Sequence, residues 1–173
     1  MNETLRVLTE RRSIRKFKKD QVEEEKLQEI LKAGEYAPSG MNKQPAVMVV
    51  VQDPETIAKL SRMNAEIMGK PGIDPFYGAP TVIVVLADTG RYTYVEDGSL
   101  VLGNLMNAAF AVGVDSCWIH RAGEEFASEE GKALLRKWGI PENYAGVGHC
   151  ILGYRDCELP VAGERKKNYI YRV

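Results

Sequence analysis

Apolar positions along the chain recur with two spacings, and these divide it into alternating helices and strands. Residues 5–9, with Glu3 and Thr4 ahead of them, read as a short helix running into a basic segment. Residues 22–36 make a stronger helix. Leu27, Ile30 and Leu31 share one face there, and Glu23, Glu24 and Glu25 suit its positive end. Ala37-Pro38-Ser39-Gly40 stops that helix and opens a loop. Residues 46–51 are a β-branched run of buried-strand type, and Asp53-Pro54 starts a helix through Leu60 or beyond. A Pro/Gly-punctuated loop at 69–78 leads to TVIVVLA at 81–87, the clearest strand. Residues 95–112 form a helix that is small and apolar nearly all round, which places it in the core or at a subunit interface. A strand at 115–120, an amphipathic helix at 128–138 and a last core strand at 146–154 follow. The remainder, 155–173, is a basic, extended tail.

Alternating helices and strands invite a doubly wound parallel sheet. The nucleotide signatures of that architecture are missing, however. Gly146-Val147-Gly148-His149-Cys150-Ile151 has Ile where G-x-G-x-x-G needs its third glycine, and no G-x-x-x-x-G-K-[ST] occurs. The 173 residues suit one domain, 1–173. A composition 45% hydrophobic and 27% charged is that of a soluble globular protein. A pI near 6.2 argues against bulk nucleic-acid binding. No apolar run is long enough to span a membrane, and the first residues lack the apolar core of a secretory signal, so the cytoplasm is the expected location. Cys117, Cys150 and Cys157 have no paired metal spacing. His149 and Cys150, being adjacent on a strand, point to opposite faces, so no metal site is expected.

Three segments carry candidate chemistry. Arg11-Arg12-Ser13-Ile14-Arg15-Lys16-Phe17 packs four cations into seven residues of a chain with formal net charge −1. Arg suits a phosphate because its planar fork donates two parallel hydrogen bonds, although the basic end of a helix would look the same. Ala37-Pro38-Ser39-Gly40-Met41-Asn42-Lys43-Gln44-Pro45 offers short hydrogen-bonding side chains, with Gly40 allowing close approach of backbone to a ligand. Gly163-Glu164-Arg165-Lys166-Lys167-Asn168 places Arg165 and Lys167 on one side of an extended tail, as a second cationic jaw. Each is ordinary alone, as turn residues or a solvated basic tail.

Read together and in order, the three segments resemble the FMN-dependent nitroreductase family, as one of its shorter members. The resemblance runs along essentially the whole chain. It includes Phe76-Tyr77-Gly78-Ala79-Pro80 before the TVIVV strand, and Gly113-Val114-Asp115-Ser116-Cys117-Trp118-Ile119 after the apolar helix. It implies an α+β fold with a central, mostly antiparallel sheet flanked by helices, overriding the parallel-sheet expectation. It also implies a homodimer in which the C-terminal segment of each chain wraps onto its partner, with two FMN molecules at the interface.

Position by position, the resemblance assigns Arg11 and Ser13 to the phosphate and ribityl chain, with Arg12 contributing there. Arg15 matches the basic residue near the pyrimidine edge of the flavin. Pro38, Ser39, Gly40 and Asn42 match the loop that reaches the flavin of the other subunit. Asn64 matches an amide touching the ring edge. Trp118, Ile119, His120 and Arg121 match the segment whose backbone passes the ring and donates an N–H to flavin N5. Arg165, Lys166 and Lys167 match the C-terminal phosphate binders. The implied activity passes hydride from NADH or NADPH through flavin N5 to a nitroaromatic, quinone or similar small acceptor. No side-chain nucleophile is called for, since the flavin carries the chemistry; His120 is a candidate proton donor or a polar rim residue. The alternatives are a non-catalytic FMN-binding or sensing module, and a same-fold flavin enzyme that dehalogenates its substrate or fragments FMN.

Overall fold

The computed structural model describes all residues, 1–173. Its elements, in chain order, are α1 (Glu3–Glu10), α2 (Glu24–Glu35), β1 (Ala46–Val51), α3 (Pro54–Ile67), β2 (Thr81–Asp88), α4 (Tyr94–Ala111), β3 (Asp115–Ile119), α5 (Ala122–Ala127), α6 (Glu129–Trp138) and β4 (Tyr144–Gly153). Every helix and strand read from the periodicity is present, within a few residues at its ends. The helix opened by Asp53-Pro54 continues to Ile67, with the Asp53 carboxylate accepting from the Thr56 N–H at 2.9 Å as its cap. The short helix α5 is new. Six residues are too few for a periodic signal.

The sheet has the order β1-β2-β4-β3, and every neighbouring pair is antiparallel. The parallel expectation fails for two separate reasons. After β1 the chain descends through α3, but the segment 68–80 carries it back, so β2 starts beside the end of β1, with Val51 opposite Val82. From β2 through α4 to β3 the chain does make a strand-helix-strand crossover. The slot between those two strands, however, is taken by β4, running against both. Periodicity reports which face a residue buries and says nothing of strand direction.

Both faces of the sheet are covered, which is why β2 is apolar and buried from Val82 to Ala87. On one face α2 and α4 pack Leu27, Ile30, Leu102 and Leu105 against Ile83, Val85 and Cys150. On the other, α3, α5 and α6 bring Leu60, Phe126 and Leu135 onto Val82, Val84 and Ile151, joined by Ile14 and Phe17 from the basic segment. His149 lies on this second face, against the ring of Phe76 at 5.1 Å, while Cys150 lies on the first. The register of β4 slips beside Val85 and Leu86, leaving Val147 as a bulge turned toward Gly98 of α4. No helix is long and apolar enough to cross a membrane.

Candidate functional site

After α1 the chain runs extended along the start of β3. Ser13 bridges to Ser116 in parallel, the Ile14 N–H donates to the Ser116 carbonyl at 3.0 Å, and the Lys18 N–H donates to the Tyr154 carbonyl at 2.8 Å. Ile14 and Phe17 are the buried anchors of this segment, so Arg15 and Lys16 are turned outward. Lys16 is taken by Asp156 at 2.9 Å. Arg11, Arg12 and Arg15 pair with no carboxylate, although Arg6, Arg62, Arg136 and Arg155 all do. Arg12 Nη1 folds back onto the carbonyls of Thr9 at 2.8 Å and Arg11 at 2.7 Å. Arg11 Nη1, Arg12 Nε and Ser116 Oγ are buried with no hydrogen-bond partner. Burial pushes the Cys150 thiol well above its ordinary range; the neighbouring Cys117 adds to this and the Arg11 charge only partly opposes it. Buried cationic donors without acceptors are costly, and an anion with several oxygens is the ligand that would satisfy them.

The second segment hangs from α4. Gly40 N–H donates to the Asp97 carboxylate at 2.8 Å, and Thr93 Oγ donates to its other oxygen at 2.8 Å. Asp97 is buried although it lies beside Glu96 in the first turn of α4, where acids are ordinary, so nothing in the sequence marked it. Gly40 is also pressed against Thr93, since a Cβ there would lie 2.5 Å from Thr93 Oγ. The turn that follows, Gly40–Asn42, leads a stretch with φ of 50° at Met41, 52° at Asn42 and 49° at Gln44. Such left-handed residues cost roughly 1–2 kcal/mol each and need outside support. Ser39 Oγ and Asn42 Oδ1 supply it, accepting from the Gln44 N–H and the Gln44 amide, each at 3.0 Å. Pro38, Ser39 and Asn42 line a cleft of about 700 Å³.

The third segment ends β3. Trp118 is half-buried and Ile119 buried, while His120 is exposed and Arg121 takes the left-handed conformation at φ 78°. The His120 carbonyl accepts from Asn64 Nδ2 at 2.7 Å. The same amide nitrogen donates to the Glu125 carboxylate, whose other oxygen meets His149 Nε2 at 2.8 Å. Asn64, Glu125 and His149 have no exposed surface. With no accessible surface and both amide hydrogens engaged, the Asn64 side chain holds the β3–α5 turn. Glu125 and His149 were not singled out as site residues, because nothing in their spacing says that α5 and β4 face one another.

The tail stands apart. Arg165 donates to the Gly163 carbonyl at 2.8 and 3.2 Å, Lys166 lies over the Tyr169 ring at 5.1 Å, and Lys167 makes no ion pair. The chain therefore sets Arg11, Arg12, Ser13 and Arg15 and the turn at His120 and Arg121 along one strand, β3. No hydrogen bond or ion pair joins either the loop at Pro38, Ser39, Gly40 and Asn42 or the tail at Arg165, Lys166 and Lys167 to them. A second large cavity, about 650 Å³ between α3 and the 72–80 loop, is lined by none of these residues.

Comparison with known proteins agrees with the fold. The pattern described as the Nitroreductase family matches residues 8–154. A protein of Archaeoglobus fulgidus named for NADH dehydrogenase/NAD(P)H nitroreductase activity is 36% identical over 159 residues, covering 89% of this chain and 86% of its own. The FMN-bound nitroreductase of Bacteroides fragilis superimposes with a TM-score of 0.91 at 28% identity, covering 100% of both chains. That of Desulfitobacterium hafniense, also with FMN bound, gives 0.89 at 30% identity, covering 100% of this chain and 99% of its own.

Proposed function

The chain belongs to the nitroreductase family, and on that premise we propose that it is an FMN-dependent oxidoreductase, drawing on NADH or NADPH and delivering electrons to a nitroaromatic, a quinone or a similar small acceptor. The observation that carries the proposal is the pair of arginines, Arg11 and Arg12, with buried donors that no protein acceptor or carboxylate satisfies. Their donor set fits a phosphate monoester, which FMN has and riboflavin lacks. Ser13, beside them, hydrogen-bonds the ribityl chain. Arg15, held outward by the anchors on either side, presents its charge to the pyrimidine edge and favours the reduced, more anionic state of the cofactor. Trp118 and Ile119 back the ring, and the turn at His120 and Arg121 offers it backbone N–H groups. Bound FMN supplies the two-electron chemistry between nicotinamide and acceptor.

The working unit is a homodimer of the single domain 1–173. Pro38, Ser39, Gly40 and Asn42 then serve the partner's cofactor, and Arg165, Lys166 and Lys167 close on a phosphate from the exchanged tail. Supporting this, Leu5 and Leu8 of α1 and Val95 and Leu100 of α4 are exposed on the surface, and Ile170 and Tyr171 of the tail are exposed as well. The three cysteines are free, which suits the cytoplasm. The deciding experiment purifies the protein, titrates it with FMN and with riboflavin, and measures NADH and NADPH oxidation with nitroaromatic and quinone acceptors. Equal affinity for FMN and riboflavin, or no oxidation of either nucleotide, would defeat the proposal.

A further inference from the structure

The turn that closes β3 is held in an unusual way. Its carbonyls are occupied: His120 accepts from Asn64 Nδ2 at 2.7 Å, and Arg121 accepts from the Glu125 N–H at 3.0 Å. Its amides are not, because the backbone N–H groups of His120 and Arg121 donate to no group in the chain. Arg121 takes φ 78°, a conformation that a side chain with a Cβ resists, so the turn depends on what grips it. What grips it is the buried chain Asn64–Glu125–His149, reaching from α3 through α5 to β4.

That chain is an expensive way to fill a core. Its three residues are wholly buried, the rings of Phe76 and Phe126 flank His149, and Asn64 Oδ1 and His149 Nδ1 have no partner. Well-packed apolar side chains of the same volume would serve stability as well or better. What apolar residues cannot do is grip one peptide carbonyl and fix its rotation. Holding the His120 carbonyl inward turns the Arg121 N–H, which belongs to the same planar peptide unit, outward. Packing locks the support itself, since Gly146 of β4 lets Ala122 of α5 approach so closely that a Cβ at 146 would lie 2.1 Å from the Ala122 carbonyl oxygen.

We propose that Asn64, Glu125 and His149 are positioning residues: together they hold the turn at His120 and Arg121 so that the free Arg121 N–H faces the ring of the cofactor. The inference rests on the FMN-dependent reading for its ligand, and on the geometry of the chain alone for the turn. Asn64 makes the contact, Glu125 orients the Asn64 amide, and His149 orients the Glu125 carboxylate.

The test uses Asn64→Leu, which removes both donors at similar volume, and Glu125→Gln, which keeps hydrogen-bonding capacity on both sides. Leu105→Ala, on the opposite face of the sheet, is the control for loss of stability. In the FMN-free protein, ¹⁵N relaxation dispersion at residues 120–122 is expected to be flat for the wild type and the control, and to appear in Asn64→Leu. In the FMN-loaded protein, Asn64→Leu is expected to shift the flavin absorption bands and lower kcat for NAD(P)H oxidation about 10- to 100-fold, with KM little changed. Glu125→Gln, which keeps the hydrogen bonds, is expected to stay close to the wild type in each readout. Should Asn64→Leu not fold, Asn64→Ser takes its place. Flat dispersion with unchanged flavin bands overturns the inference while leaving FMN binding intact, and so does an equal response from Leu105→Ala. Dispersion at 120–122 in a protein that binds no FMN upholds the positioning of the turn and overturns its ligand.

Discussion

Arg11→Ala separates a phosphate site from a basic helix end, because the two accounts differ in sign on the cofactor-free protein. If Arg11 merely completes α1, its charge stabilises the helix C-terminus by about 0.3–1 kcal/mol, and its loss lowers stability by that amount. In the structure, however, Arg11 pairs with no carboxylate and its Nη1 is buried without an acceptor, a penalty of about 1–3 kcal/mol that the substitution removes. The FMN-free variant should therefore be as stable as the wild type or slightly more so in urea denaturation. FMN binding should weaken by about 2–3 kcal/mol, the worth of a charge-assisted contact to phosphate with its neighbours intact, or roughly 30- to 150-fold in Kd. Riboflavin, with no phosphate, should bind both proteins alike. Calorimetric titration with each flavin, beside the denaturation curves, gives all three numbers. A variant that loses FMN and riboflavin affinity equally would refute the phosphate assignment, as would one destabilised without FMN whose FMN affinity is retained.

Arg15→Gln keeps a hydrogen-bonding side chain and removes the charge, so a redox titration should find the flavin midpoint potential lowered by several tens of millivolts, about 30 mV in a two-electron couple equalling 1.4 kcal/mol. FMN affinity should fall much less than in Arg11→Ala; an unchanged potential with FMN lost would move Arg15 to the phosphate. Gly40→Ala places a Cβ 2.5 Å from Thr93 Oγ and strains the Thr93–Asp97 hydrogen bond, so the chain should lose about 1–3 kcal/mol in thermal or urea unfolding. In sedimentation experiments, diluting the protein should release FMN and monomer together, because a ligand that bridges two chains stabilises their association; an FMN-loaded monomer would contradict this. The Thr56 hydroxyl and N–H hold the Asp53 carboxyl below its usual value. Its stabilising contribution is therefore present above the unfolded value and lost as pH falls through the folded one, and Asp53→Asn should flatten the acid limb of the stability profile.

How much of this was legible in the sequence follows from what each signal encodes. The buried strand at β2 and the apolar faces of α2 and α4 were readable because periodicity and burial are the same fact. Strand direction was legible only through the family resemblance, since the return of the 68–80 segment and the insertion of β4 beside β2 leave no periodic trace. The concentration of charge in the basic segment was readable, because four cations in seven residues stand out in a nearly neutral chain. That Lys16 would be taken by Asp156, while Arg15 stays free, depends on where the chain after β4 passes. The grip of Asn64 on the turn after β3 was not legible. Its role depends on Glu125 and His149, far away in sequence and brought beside it only by the antiparallel β4.

The placement of Asp97 links the two halves of the functional proposal. α4 presents one face to the sheet through Leu102 and Leu105, and leaves Val95 and Leu100 exposed on its outer side. At its first turn, Asp97 grips the backbone N–H of Gly40. The loop proposed to reach across to the partner's cofactor is thus fastened to the helix proposed to form the dimer contact. Any shift of α4 on forming the dimer carries Ser39 and Asn42 with it, while Arg11 and Arg15 stay fixed to β3. A site assembled this way gains its last contacts only when two chains are docked. The apolar outer face of α4 and the hydrogen bond to Gly40 are then parts of one device, and substitutions at Val95 or Leu100 should weaken FMN binding without touching it.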